Sequence, residues 1–258
     1  MAYKQLKLWF DADLAENLAT KIKKEYSDFP SSAYIAEVTK QLPPLELKDR
    51  VKIFAACLKK YLPPDYTTSI NILTKILGPE NEKETGMFKE YYWIMPIAQF
   101  VESYGLVHFE ISMKAIQEVT KRNTGEYAIR PYLVKYTKQT LKKLQQWSKH
   151  PNKHVRRLAS EGIRPRLPWS TKLDIFIEQP HLLLPILNQL KDDPSKYVQK
   201  SVANCVNDIL KDNPVVGKEL LQNWAKKPTK ERRWIIKHAL RNLLKKEVAW
   251  ANQLVDKK

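Results

Sequence analysis

The amino-acid sequence predicts an all-α protein. Four observations carry that prediction. Apolar residues recur at helical spacing through most of the 258 residues, and Pro-containing turns separate the periodic stretches. Only 6 glycines occur, and the β-branched alternation of a half-buried strand is scarce.

The elements follow in order. The first 40 residues are helical by pattern. Residues 45–64, LELKDRVKIFAACLKKYLPP, place Val51, Phe54, Ala55 and Leu58 on one helix face, and Pro63–Pro64 ends it. Residues 93–106, WIMPIAQFVESYGL, do the same with Ile97, Phe100, Val101 and Tyr104, and Gly105 reads as the C-terminal cap. In EYAIRPYLVKYTKQTLKKLQQWSKH, Arg130–Pro131 marks a break. The helix after it carries Lys135, Lys138, Lys142 and Lys143 on its wet side.

The C-terminal half repeats. HPNKHVRRLAS, DPSKYVQKSVA and KPTKERRWIIKHA each begin with proline, pass through a polar turn and enter an apolar-periodic helix. Their prolines, Pro151, Pro194 and Pro228, are 43 and 34 residues apart. That spacing suits stacked helix pairs of the HEAT kind, whose second helices line a concave side. In the first such helix Arg157, Glu161 and Arg164 share a face opposite Val155, Leu158, Ala159 and Gly162. In the second, Val198, Val202, Cys205 and Ile209 form the core, leaving Lys200, Asn204, Asp208 and Lys211 outward. In the third, Ile236, Ala239, Leu240 and Leu243 are core, while Trp234, Lys237, His238, Arg241 and Lys245 share another face. The expected fold is therefore a curved α-solenoid of HEAT-like helix pairs with a basic concave surface. One domain spans 1–258, with N-terminal helices over 1–120 and the functional repeats over 121–247.

Charge bounds the partner. Lys and Arg number 45 against 28 Asp and Glu, a formal net charge of +17, and the excess concentrates after about residue 120. A chain that basic repels itself unless a polyanion neutralises it. Cys57 and Cys205 lie in apolar helical patterns and read as buried thiols of a reducing compartment. The N-terminus lacks an apolar signal core and no run approaches membrane-spanning length, which points to a cytosolic protein with no membrane partner. His150 and His154 stand at i, i+4 but lack a third ligand nearby, so no metal is expected. No GxGxxG, Walker lysine or GxSxG motif supports nucleotide-cofactor or serine-hydrolase chemistry.

The chemistry concentrates in residues 150–169, HPNKHVRRLASEGIRPRLPW. Four arginines (Arg156, Arg157, Arg164, Arg166), one carboxylate (Glu161) and Trp169 share one helix and the turn after it. Pro165 biases Arg164 out of helical geometry, so Arg164 and Arg166 are expected to project from the helix end. A carboxylate ringed by guanidinium groups suits a site that grips phosphates and stabilises a cation between them. The plainer alternative for Glu161 is an i, i+4 ion pair with Arg157. For Asp208 it is a pair with Lys211 or Lys200, and for Asp192 or Asp193 turn chemistry before Pro194. Trp234, flanked by Arg232, Arg233 and Lys237, serves equally as a packing residue or a stacking platform.

VRRLASEGIRPRLPW, DPSKYVQKSVANCVNDILKDNP, EYAIRPYL, LELKDR and WIIKHALRNLLKK together resemble the bacterial alkylpurine DNA glycosylases of the AlkC type. These are relatives of the AlkD type among the HEAT-like-repeat glycosylases. The similar blocks run from about residue 45 to 246. The resemblance implies an enzyme of the bacterial cytosol and nucleoid, and an enzyme that encloses a duplex is expected to be a monomer. It would excise cationic N-alkylated bases such as 3-methyladenine from alkylated double-stranded DNA, with no cofactor or metal and without flipping the lesion into a tight pocket. It implies that Glu161 is the acid at the reaction centre and that Asp208 and Glu126 are further acids of the cleft. Arg157, Arg164, Arg166, Trp169, Lys200, Trp234, Lys237, His238 and Arg241 are the expected DNA-binding or lesion-contacting residues.

The chain departs from the family pattern at Gln199 and Lys200, where an arginine pair is expected, at Lys237, where arginine is usual, and at Asn213, which replaces a common histidine. It also resembles the short branch lacking a C-terminal immunoglobulin-like domain. Two other classes remain: a non-enzymatic nucleic-acid-binding solenoid, and a HEAT-type scaffold for an acidic protein partner.

Overall fold

The computed structural model describes residues 4–85 and 88–256. All regular elements among them are helical. The chain divides into two compact units, one ending at Tyr132 and one beginning at Leu133.

The N-terminal unit is built on helices α1 (Ala12–Glu25), α2 (Ser31–Gln41), α3 (Leu47–Tyr61), α4 (Tyr66–Lys75), α5 (Met95–Tyr104) and α6 (Phe109–Thr120). The Asp11 side chain caps α1 by accepting the Leu14 amide at 3.2 Å. Leu14, Leu18 and Ile22 then recur at helical spacing and are buried. As the periodicity predicts, α3 buries Val51, Phe54, Ala55 and Leu58 and stops before Pro63–Pro64. Gly105 does cap α5, but with φ −90°. Its requirement is room: a Cβ there would lie 2.3 Å from Tyr66 Oη and 2.5 Å from both Ser112 Oγ and Tyr132 Oη. One expectation fails. Arg130–Pro131 opens the short helix Arg130–Lys135 instead of breaking one, since proline suits a first helical turn.

The C-terminal unit contains α7 (Thr137–Trp147), α8 (Lys153–Glu161), α9 (Leu184–Leu190), α10 (Lys196–Asp212), α11 (Pro214–Trp224), α12 (Lys230–Ala239) and α13 (Ala249–Asp256). Helices α8, α10 and α12 pack side by side, and α7, α9 and α11 back them as paired partners. The repeat read from sequence is thus a repeat of structure. Each proline precedes the capping residue of an inner helix. Asn152 accepts the His154 amide at 2.9 Å, Ser195 the Val198 amide at 3.4 Å, and Thr229 the Arg232 amide at 3.1 Å.

The core of α10 contains Val198, Val202, Cys205 and Ile209 as expected. It also buries Asp208, which the helical pattern had placed outward, because α8 covers that face. The third inner helix is shorter than its pattern: α12 ends at Ala239, whose carbonyl accepts Asn207 Nδ2 at 2.7 Å. Leu243 is accordingly half-buried, in a separate short helix Arg241–Leu244.

Candidate functional site

The seam between α8 and α10 collects the chemistry of the 150–169 block. Arg164 sits just past the end of α8 and bridges two acids. Its Nη1 donates to Glu161 Oε1 at 2.8 Å and its Nε donates to Asp208 Oδ2 at 2.9 Å. Arg157 Nη2 approaches the same Glu161 oxygen at 3.6 Å, and Lys211 Nζ lies 3.6 Å from Asp208 Oδ1. Glu161 retains 5% exposure and Asp208 1%, so both carboxylates depend on these partners.

Burial pushes the Glu161 carboxyl up. The Arg157 and Arg164 guanidinium groups, with hydrogen bonds from Ser201 and Arg164, outweigh it and hold the carboxyl below its usual range. Burial likewise opposes the Arg164 charge, and Glu161 and Asp208 overcome it, so its pKa rises. The site therefore holds an ionised acid away from bulk water. The plain ion pair of Glu161 with Arg157 is present, but Arg164 supplies the shorter contact.

Arg164 and Arg166 do not project from the helix end, contrary to the sequence expectation. Arg164 is 8% exposed inside the acid pair, and Arg166 binds Asp212 with both its Nε and Nη2. Arg156 is tied to Asp193, with Nε to Oδ2 at 2.6 Å, and Arg232 to Asp192. Asp192 and Asp193 are thus more than turn residues: each fastens the turn before α10 to a neighbouring inner helix. The arginines of the motif stitch one repeat to the next. Gln199, one of the departures noted in sequence, is also structural, donating to the Asp193 carbonyl at 2.8 Å. Asn213 donates to the Ile177 carbonyl at 2.8 Å.

The cations without acids stand elsewhere. Among the described residues, no carboxylate lies within ion-pair distance of Lys196, Lys200, Lys237 or Arg241. Lys200 and Lys237 are exposed, and Trp234, His238 and Arg241 are half-buried. The Trp234 and His238 rings stack at 4.7 Å, and Lys196 Nζ lies 3.4 Å over the Trp234 ring. Burial first, then Arg241, Lys200 and Lys196, push the His238 imidazole below its ordinary range. Arg241 is disfavoured by burial and by Arg164, and favoured by Asp208, which places it in electrostatic reach of the acid pair. Lys196 and Tyr197 escaped the sequence reading. Tyr197 stacks under the Arg157 guanidinium at 4.7 Å and so steadies a neighbour of Glu161. They stand in the first turn of α10, where polar and aromatic residues usually need no special explanation.

Trp169 is 65% exposed and has φ 64°. A left-handed backbone at a bulky residue costs about 1–3 kcal/mol and persists where its surroundings impose it. Here the loop is closed by Leu173 N to Pro165 O at 3.1 Å. Glu126 belongs to the N-terminal unit, where it is half-buried and accepts Thr124 Oγ1 at 2.8 Å. His150 Nδ1 accepts the Asn152 amide at 3.0 Å, while the His154 ring packs edge-on against Tyr197. No group of three or more potential metal ligands occurs among the described residues, nor any helix long and apolar enough to cross a membrane.

Residues 117–243, which contain this seam, match the model of a family described as DNA alkylation repair enzyme. The chain is 38% identical over 244 residues to the uncharacterized protein YhaZ of Bacillus subtilis (strain 168), covering 93% of this chain and 65% of that one. It thus spans just under two thirds of that relative. It also superposes on the Pseudomonas fluorescens alkylpurine DNA glycosylase AlkC bound to DNA containing an abasic site analog. That match has a TM-score of 0.89 and 34% identity, and covers 98% of this chain and 68% of the other. With its helical-pair repeats, its acid pair and these relatives, the chain belongs to the DNA alkylation repair enzyme family, in the AlkC branch.

Proposed function

We propose that this protein is a DNA glycosylase that hydrolyses the N-glycosidic bond of cationic N-alkylated bases, 3-methyladenine among them, in duplex DNA. The observation that carries the reading is the ionised Glu161 held by Arg157 and Arg164 beside Asp208. An N3- or N7-alkylated purine already bears positive charge. The C1′–N bond breaks with its electron pair leaving on the base, which departs neutral and needs no strong general acid. The remaining demand is the cationic sugar. A carboxylate aimed at C1′ stabilises that charge and accepts the proton of the water that adds there. Glu161 is assigned that part, and Asp208 holds Arg164 in place from the other side.

Lys200, Lys237 and Arg241 serve as the phosphate-binding surface, since their charges are not spent on acids within the protein, and the His238 ring stands among them. Trp169 is assigned contact with the lesion strand, and Glu126 is proposed as a further functional acid. Arg166 is reassigned from DNA contact to repeat joining, on its Asp212 pair. No step requires a cofactor, and the working unit is taken as one monomer on alkylated DNA in the bacterial cytosol. The absence of base flipping follows from the family resemblance alone.

The near-complete burial of both acids also favours a second reading, in which the seam only braces a nucleic-acid-binding module. Duplex DNA treated with a methylating agent separates the two. Release of free 3-methyladenine at low salt supports the glycosylase. DNA binding with no base released from any lesion supports the module.

A further inference from the structure

A recess of about 520 Å³ lies apart from the acid pair. Its floor and walls include Ala225, Pro228, Trp234, Ile236, Leu254 and Val255. Lys196, Lys230, Arg233 and Lys237 stand around it against two acids, Glu231 and Asp256. None of these four cations is within ion-pair distance of a carboxylate among the described residues. The volume falls in the range of roughly 300–1,000 Å³ typical of small-ligand sites.

We infer that this recess seats one unpaired nucleotide of a DNA strand, its base against Trp234 and the apolar wall and its phosphates on Lys230, Arg233 and Lys237. An apolar, aromatic floor rimmed by unspent cations asks for a flat apolar body carrying negative charge. An unstacked nucleotide has both parts. A duplex offers only its phosphates to such a rim, because its bases stay stacked and cannot enter a recess. Lys196 now holds its ammonium over the Trp234 ring, and burial with the nearby Lys230 charge makes that ammonium less favourable than usual. Arrival of a phosphate relieves this crowding and draws Lys196 off the ring, which frees its face for the base. His238 lies one turn further along α12, against the same tryptophan, so the recess continues into the surface assigned to duplex phosphates. The inference extends the DNA-binding reading and does not depend on base excision.

The test uses the whole chain and fluorescein-labelled (dT)6. Wild type is expected to bind (dT)6 more tightly than a labelled hexaglutamate. The Lys230→Gln/Arg233→Gln double variant and the recess-filling Val255→Trp are each expected to weaken (dT)6 by about five-fold or more. Base release from methylated duplex by the double variant should stay at the wild-type rate, and that assay reports the glycosylase reading separately. Two results overturn the inference: hexaglutamate bound as tightly as (dT)6, or (dT)6 binding unchanged in the double variant.

Discussion

Arg164 donates Nε–H to Asp208 at 2.9 Å across the seam between α8 and α10. The same guanidinium holds Glu161 at 2.8 Å, so one side chain fixes the spacing of two buried carboxylates. Removing it leaves both acids short of a partner. Arg164→Ala is therefore expected to destabilise the protein by about 3–5 kcal/mol, the cost of breaking a buried ion pair from one side. Arg164→Lys keeps the charge but cannot serve both acids with the planar fork, and should fall between the two. Urea denaturation followed by circular dichroism checks the order.

The acid limb of the pH–rate profile should lie low. The folded-state pKa of Glu161 is held below its ordinary value, so its ion pairs contribute stability above the ordinary Glu range of about 4.3. That contribution disappears as pH falls through the lowered folded value. Activity should accordingly be flat from neutrality down to about pH 5. Arg157→Ala removes one of the two cations holding the carboxyl down, and its acid limb should move upward. Single-turnover base release across pH measures both limbs.

Two classes of cation should separate under salt. Lys200→Gln and Lys237→Gln each remove a charge with no internal acid, and each should reduce the slope of log K against log salt by about 1. Arg166→Gln and Arg232→Gln break pairs with Asp212 and Asp192. They should leave the slope near wild type and lower the unfolding midpoint instead. Fluorescence anisotropy at several salt concentrations, beside thermal melts, decides it.

His238 should couple binding to protons. Its imidazole is kept below its ordinary range by burial and by Arg241, Lys200 and Lys196, and is neutral at pH 7. Being depressed, it favours the folded free protein less as pH falls below the ordinary histidine value of about 6.5. A phosphate landing among the same cations reverses their repulsion, so DNA binding near pH 6 should take up a proton. Calorimetry in two buffers of different ionisation enthalpy should show that uptake in wild type and its loss in His238→Asn.

The all-α class and the inner helices were legible because apolar spacing and proline turns are local signals. Pro151, Pro194 and Pro228 announced three helices whose caps are the next residues, Asn152, Ser195 and Thr229. Pairing between repeats was not legible. The partners of Arg156 and Arg166, Asp193 and Asp212, lie one repeat further along the chain. No helix-face argument reaches that far, and so Arg166 looked free. Asp208 looked exposed for a related reason: its face of α10 is wet only if nothing packs there, and α8 does. Glu161 and Arg164 were found together because they share one turn of chain. Lys196 and Tyr197 were passed over because their partners, Trp234 and Arg157, belong to other helices.

The role proposed for Glu161 is to meet the cationic sugar. Its most direct measurement is single-turnover release of 3-methyladenine from methylated duplex DNA by Glu161→Gln beside wild type, with binding to the same duplex measured in parallel. The variant's rate should be lower by about 10²–10³, with affinity kept within a few-fold. Release at the wild-type rate from a folded Glu161→Gln protein would contradict it.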